Sequence, residues 1–230
     1  MRRHAALLAL ALAAPGGGAV RAQLRITGSA EASQVEHRVN AGFGVEQSSG
    51  TIFGGHGALG FGPRLEIGAR VGSGTLTADS VGSDDLDFAR GGLYAAVFAM
   101  PWLALRAEVG VHTLSTPVAV QRWTTGRMGA EARAPMLDGR FHAIGRLELF
   151  PLISVSGLEK PNRAFGAAAG IMWSAGPVSA QLVYALERYD FPRSGGVERH
   201  EQLSFLTGRL SVRLGRATAA PANAPQSGTP

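Results

Sequence analysis

Three short constellations in the sequence carry residue types that could do chemistry. Gly55-His56-Gly57-Ala58-Leu59-Gly60 spells GxGxxG, a pattern whose backbone amides can cradle a pyrophosphate. The acidic stretch from Asp79 to Asp87, together with the later Asp190 and His200, could bring a carboxylate to a histidine that polarises water for hydrolysis. His112 and Ser115 lie close enough to read as a base and its nucleophile. A fourth set is larger and mixed in sign. Glu66, Arg70, Arg106, Glu108, Arg127, Glu131, Arg133, Arg140, His142, Arg146, Glu148, Glu187, Arg209 and Arg213 recur singly, in alternation with apolar residues.

Each constellation depends on the element beneath it. A dinucleotide loop needs a strand before it and a helix after it, but a Gly62-Pro63 turn and a period-two segment follow Gly60. His112 and Ser115 have opposite parity, so on a strand they face opposite sides. His37, His56 and His142 stand alone, without metal-ligand spacing to one another. No catalytic residue, cofactor or metal site is expected, and only the alternating charges remain as a set.

The elements that must position those charges are strands. In residues 64 to 77, Leu65, Ile67, Ala69 and Val71 oppose Glu66 and Arg70. In 102 to 114, Leu103, Leu105, Ala107, Val109 and Val111 oppose Arg106, Glu108 and His112. Residues 139 to 151 set Phe141, Ala143, Leu147 and Leu149 against Arg140, His142, Arg146 and Glu148. Residues 203 to 214 set Leu206, Leu210, Val212 and Leu214 against Thr207, Arg209, Ser211 and Arg213. Weaker runs fill 51 to 61, 87 to 99, 121 to 133, 163 to 174 and 177 to 190. The first strand is ambiguous. Leu24, Ile26, Ala30 and Ala32 share one parity, but Val35, Val39, Ala41, Phe43 and Val45 take the other, which reads as a loop or bulge between them.

Tight turns at Gly62-Pro63-Arg64, Met100-Pro101, Pro135 to Gly139 and Gly176-Pro177 alternate with longer polar links near 46 to 50, 78 to 86, 115 to 120, 155 to 162 and 191 to 198. Ten antiparallel strands follow, with eight as the alternative, closed as an up-and-down barrel with short turns on one rim. An apolar face repeated this often exceeds what one small core can hide, so it is read as facing lipid, with the charges inside. In a narrow lumen those charges must pair, and a barrel of this size has little more room than its side chains fill.

The N-terminus agrees with export. Met1 to Ala22 has a basic start at Arg2 and Arg3, an apolar run from Ala5 to Ala14 and small residues before the expected cut after Ala22. Arg2, Arg3 and Arg21 account for three of the +5 formal charges, so the remainder carries about +2. With basic residues spread singly, nucleic acid is not an expected partner. No stretch after the leader is apolar for 18 residues, which excludes a helical membrane protein. The reading is a signal peptide over 1–22, a barrel over 23–215 and a disordered periplasmic tail over 216–230, rich in Ala and Pro.

Aromatic residues fall where two interfacial belts would need them. Phe61, Trp102 and Trp173 lie beside the short turns, and Phe88, Phe165, Tyr189 and Phe191 lie toward the long links. On these patterns the chain resembles the small bacterial outer-membrane β-barrels, the broad group of the OmpA and OmpX type barrels, over Gln23 to Gly215. It departs from them in ending its last strand at Leu214 rather than an aromatic residue, and in its strand count. The resemblance implies residence in the outer membrane, contact with its lipid and lipopolysaccharide, insertion by the barrel-assembly machinery, and a monomer. Omptin-type proteases resemble the chain in strand number, but its later loop lacks their spacing of Asp and His on one strand. Asp84, Asp85 and Asp87 could also contact a divalent cation bridging lipopolysaccharide. The function expected is a non-enzymatic structural or surface-interaction barrel. The alternatives are a narrow channel, an outer-membrane enzyme, or a soluble lipocalin-like barrel with its apolar face inside.

Overall fold

The computed structural model describes residues 24–42, 44–79, 84–137, 139–193 and 197–214. The leader and the C-terminal tail read from the sequence lie outside them. Ten strands run in chain order: β1 (Leu24–Asn40), β2 (Val45–Phe61), β3 (Leu65–Ala78), β4 (Leu86–Met100), β5 (Leu103–Ser115), β6 (Val120–Met136), β7 (Phe141–Val155), β8 (Arg163–Ala175), β9 (Val178–Asp190) and β10 (His200–Leu214). Each pairs antiparallel with its sequence neighbours, and β1 pairs with β10 to close the barrel. No free sheet edge is left to recruit another chain, and the ladder satisfies the backbone without water. Gly62 and Gly176 take the positive φ that the tight turns require.

The strands are 13 to 17 residues long, whereas about 9 to 11 residues cross a bilayer. The surplus has a chemistry of its own, and β1 shows it first. The strand is continuous from Leu24 to Asn40, with unbroken register to both β2 and β10. The loop or bulge expected near Val35 is absent. Backbone parity holds throughout, and what changes is the face that is apolar. Up to Ala32 the outward residues are Leu24, Ile26, Ala30 and Ala32, with Glu31 and Ser33 inside; beyond it Gln34, Glu36, Arg38 and Asn40 face outward while Val35 and Val39 are buried.

The same exchange occurs around the barrel on neighbouring rungs. Outward residues turn polar at Thr51, Ser73, Thr113, Thr124, Ser154 and Ser204, and inward ones turn apolar at Ile52, Leu76, Phe88, Leu114, Trp123, Phe150 and Phe205. The ladder carries this level round, with Gln34 opposite Thr51, Phe53 opposite Ser73 and Thr124 opposite Ser154. Below it, toward the tight turns, large apolar side chains stand in the open, Phe53 and Leu93 each 67 % exposed and Leu147 71 %. A soluble, inward-apolar barrel describes the upper part and is the inverse of the lower part.

Two further sequence expectations are corrected. The polar link near 46 to 50 is part of β2, because Glu46 to Gly50 pair with β1, and the connection itself is at 41 to 44. Tyr189 and Phe191, read as interfacial aromatics, are 0 % and 7 % exposed inside the upper barrel, and Phe88 is buried with them. Phe61, Trp102 and Phe165 are exposed on the outer surface, and Trp173 shares the outward parity of β8. In β7 a register shift opposite Arg127 brings both Phe150 and Ile153 inside. Pro151 lies in that shift, where a residue without an N–H costs the ladder nothing.

Candidate functional site

The lumen brings together side chains from all ten walls, and it divides at the level where the faces exchange. Above that level aromatic rings meet across the barrel. Phe88 of β4 lies 6.3 Å from Phe205 of β10, and Trp123 of β6 lies 4.7 Å from Tyr189 of β9, centroid to centroid. His112 stacks between Phe88 and Trp123 at 5.9 and 5.3 Å, and Phe150 stacks on Tyr189 at 5.7 Å. The Phe88–Phe205 and Trp123–Tyr189 contacts join strands four and three apart in the ring, so they reach across the bore, and the other stacks fill in between them.

Directly beneath, Arg127 of β6 makes a two-point ion pair with Glu187 of β9, and Tyr189 donates its hydroxyl to Glu187 Oε2 at 2.6 Å. Arg127 lies 4.7 Å below the Phe150 ring and Arg90 4.9 Å from that of Phe205, so guanidinium groups face the aromatic layer. The gap remaining between the layers is about 10 Å³, room for a single water.

Below this seal the charges read from the sequence form carboxylate-centred groups. Glu108 takes Arg70 at 2.5 Å and Arg106 at 3.1 Å. Glu131 takes Arg133 at 2.7 Å and Arg146 at 3.9 Å, with Glu148 3.4 Å from the Arg146 Nε. Glu31 takes Arg90 at 3.0 Å and Arg209 at 2.9 Å. Arg213 lies at the turn-side mouth and makes no ion pair among the described residues. Arg140 does not belong to the network; it sits exposed in the turn before β7, where its amide bonds to Leu137.

Glu31 and Arg90 do not stand out in the sequence, the first because the parity of its strand is ambiguous and the second because glycines follow it on a weak strand. His56, which stands alone in the sequence, belongs to another polar group. His56 Nε2 lies 2.7 Å from the Tyr94 hydroxyl, which donates to Glu66 at 2.7 Å, and His56 Nδ1 is 3.2 Å from Ser29 Oγ. A Cβ on Gly68 would come within 2.5 Å of the Tyr94 ring, so that glycine makes the space in which Tyr94 reaches across. The Arg106 guanidinium lies over the ring at 3.8 Å.

The loop-side constellations are placed apart. Asp190 and His200 occupy paired positions on β9 and β10, with His200 Nδ1 2.7 Å from Asp190 Oδ1, on the outward face above the apolar band. Burial opposes the Asp190 charge, yet hydrogen bonds from Arg188 and His200 hold its carboxyl below the usual carboxylate range. Asp87 accepts from Thr75 and Asp85 from the Ala78 amide. Among the described residues no three His, Asp or Glu side chains are grouped as a metal site. Inside the loop-side mouth, a cavity of about 460 Å³ is lined in part by His37, Glu46, Asp84 and Arg199. His37 and Arg199 both contact Glu201 there, at 3.3 and 2.5 Å.

Comparison with known proteins places the fold. No family model matches the sequence, and neither does any curated protein. Among solved structures the chain is similar to the outer membrane protease OmpT from Escherichia coli, at 11 % identity and a TM-score of 0.56, over 84 % of this chain and 97 % of that one. It also aligns with the translocator domain of autotransporter NalP from Neisseria meningitidis, at 16 % identity and a TM-score of 0.45, over 84 % and 88 %. A third match is Ail, the attachment invasion locus protein of Yersinia pestis, at 11 % identity and a TM-score of 0.33, over 84 % and 99 %. The chain has the fold of the small outer-membrane β-barrels.

Proposed function

We propose that the protein is a monomeric outer-membrane barrel that neither conducts nor catalyses, and that it acts through the collar it raises above the membrane. The observation that carries this reading is the joint exchange of both faces at one level. Below it an apolar exterior suits lipid; above it a polar exterior encloses a dry aromatic plug, which is how a sheet behaves in water. The ion pairs and the aromatic plug that span the bore support the reading that it does not conduct. Support for a non-enzymatic role comes from Asp85 and Asp87, which are spent on local hydrogen bonds, and from the Asp190 and His200 pair, which lies outside the bore.

The short turns then face the periplasm, and the collar with its polar mouth is the surface offered to lipopolysaccharide and to extracellular partners. The test is fractionation of the expressed protein, gel mobility with and without heating, and reconstitution in planar bilayers. Recovery in outer membranes, a heat-dependent mobility shift and silent bilayers are expected. Recovery as a soluble protein, or steady conductance, would overturn the proposal.

A further inference from the structure

We propose that the turn-side half of the lumen is a binding site for a small, multiply charged oxyanion of the phosphate or pyrophosphate class. Below the seal lies a cavity of about 150 Å³, lined by seven arginines and by only three glutamates, Glu66, Glu131 and Glu187. It adjoins a mouth cavity of about 500 Å³ beside Pro101, Pro135 and Pro177, with Arg133, Arg213 and Ser211 lining both. The site is therefore open on the turn side and closed on the other. A volume of about 150 Å³ equals the share of roughly five waters, enough for one or two phosphoryl groups.

The excess positive charge follows from how the ion pairs are built. Glu31, Glu108 and Glu131 each serve two arginines. Glu31 and Glu108 are buried in the wall and do not line the cavity, whereas the guanidinium groups they hold do. Each guanidinium carries five N–H donors, and one carboxylate cannot occupy the donors of two. Of the lining carboxylates, Glu187 is committed to Arg127 and Tyr189, and Glu66 accepts from Tyr94. The lumen is accordingly short of acceptors. The buried Nε atoms of Arg90 and Arg106 have no hydrogen-bond partner among the described residues, and the Arg146 Nε has only the Glu148 carboxylate at 3.4 Å. An oxyanion supplies what is missing, several acceptor oxygens and negative charge, in a site where planar forks favour two-point contacts.

The test is calorimetric titration of the folded protein, in detergent freed of phospholipid, with inorganic phosphate and with pyrophosphate. The variants are Arg106→Gln inside the cavity, Arg213→Gln at its mouth and Arg38→Gln on the outer collar. Saturable binding is expected that weakens about tenfold in Arg106→Gln, weakens less in Arg213→Gln, is unchanged in Arg38→Gln and fades with added salt. The heat-dependent mobility shift shows which variants are folded, and Arg213→Gln, at an exposed position, keeps the test alive if Arg106→Gln does not fold. Titration with a short-chain phosphatidate separates the two sources of phosphate. Binding of the free anion alone assigns a soluble ligand, and binding of the phosphatidate assigns a lipid headgroup. No saturable heat with any of the three, or equal affinity in all variants, would overturn the proposal. This outcome is distinct from failure of the membrane reading, which soluble recovery would show.

Discussion

The two halves of this barrel are made by the same strands and obey opposite rules. In the turn-side half, carboxylates and arginines fill the bore while leucines, valines and alanines coat the outside; in the loop-side half, rings fill the bore while Gln, Thr and Ser coat the outside. One backbone serves both because a strand fixes only that neighbours alternate, and the solvent decides which face must be apolar. Stability therefore has a different origin at each height. Below, lipid-matched surface and paired charges hold the wall; above, an aromatic core does.

Substitutions can break or sharpen that contrast. The largest effects are expected at the seal. Glu187→Gln strands the Arg127 guanidinium in the bore and should destabilise the fold by about 3 to 5 kcal/mol. Trp123→Ala empties the aromatic layer at a similar cost, about 3 to 5 kcal/mol. Thermal unfolding in detergent, followed by the gel shift, measures both, and a Trp123→Ala variant as stable as the parent would show that the upper bore is not a packed core.

Next comes a pair of identical insertions on the two outer surfaces. Leu147→Arg places charge in the apolar band and should cost about 2 to 4 kcal/mol, whereas Thr75→Arg above the boundary should fall within about 0.5 kcal/mol of the parent. Equal penalties for the two would erase the distinction between the halves. The smallest effect belongs to the collar. Asp190 is held below its ordinary range in the fold, so its contribution is fully present above the unfolded carboxylate value near pH 4 and is lost as the pH falls from there through the lower folded value. Asp190→Asn should therefore lower the unfolding temperature slightly at pH 7, and the difference from the parent should shrink as the pH falls below about 4.

The fold was most legible where a strand lies largely within one solvent. In β5, Leu103 to Val111 alternate against Arg106 and Glu108 over nearly the whole strand, and pattern alone gave the faces correctly. β1 was misread because its apolar parity inverts at the boundary while its backbone does not. The same inversion sends Tyr189 and Phe191 inward, although their position near strand ends suits a belt. Residues 46 to 50 looked like a loop because they are polar on both faces, and only pairing with β1 makes them strand. The charge groups were partly visible as alternating Arg and Glu. Their partners were not, since Glu31 and Arg90, or His56 and Tyr94, meet from strands that are not neighbours in sequence.

The most direct test of the central claim uses the absence of cysteine from the chain. Single cysteines placed at the outward positions of β3, as Ala69→Cys, Val71→Cys, Ser73→Cys, Thr75→Cys and Thr77→Cys, would be treated with a water-soluble maleimide after insertion into lipid vesicles. Protection at Ala69 and Val71, with labelling at Thr75 and Thr77 and a change at Ser73, is the expected result. Labelling along the whole strand, or protection up to Thr77, would contradict the division of the barrel into a lipid-facing half and a raised collar.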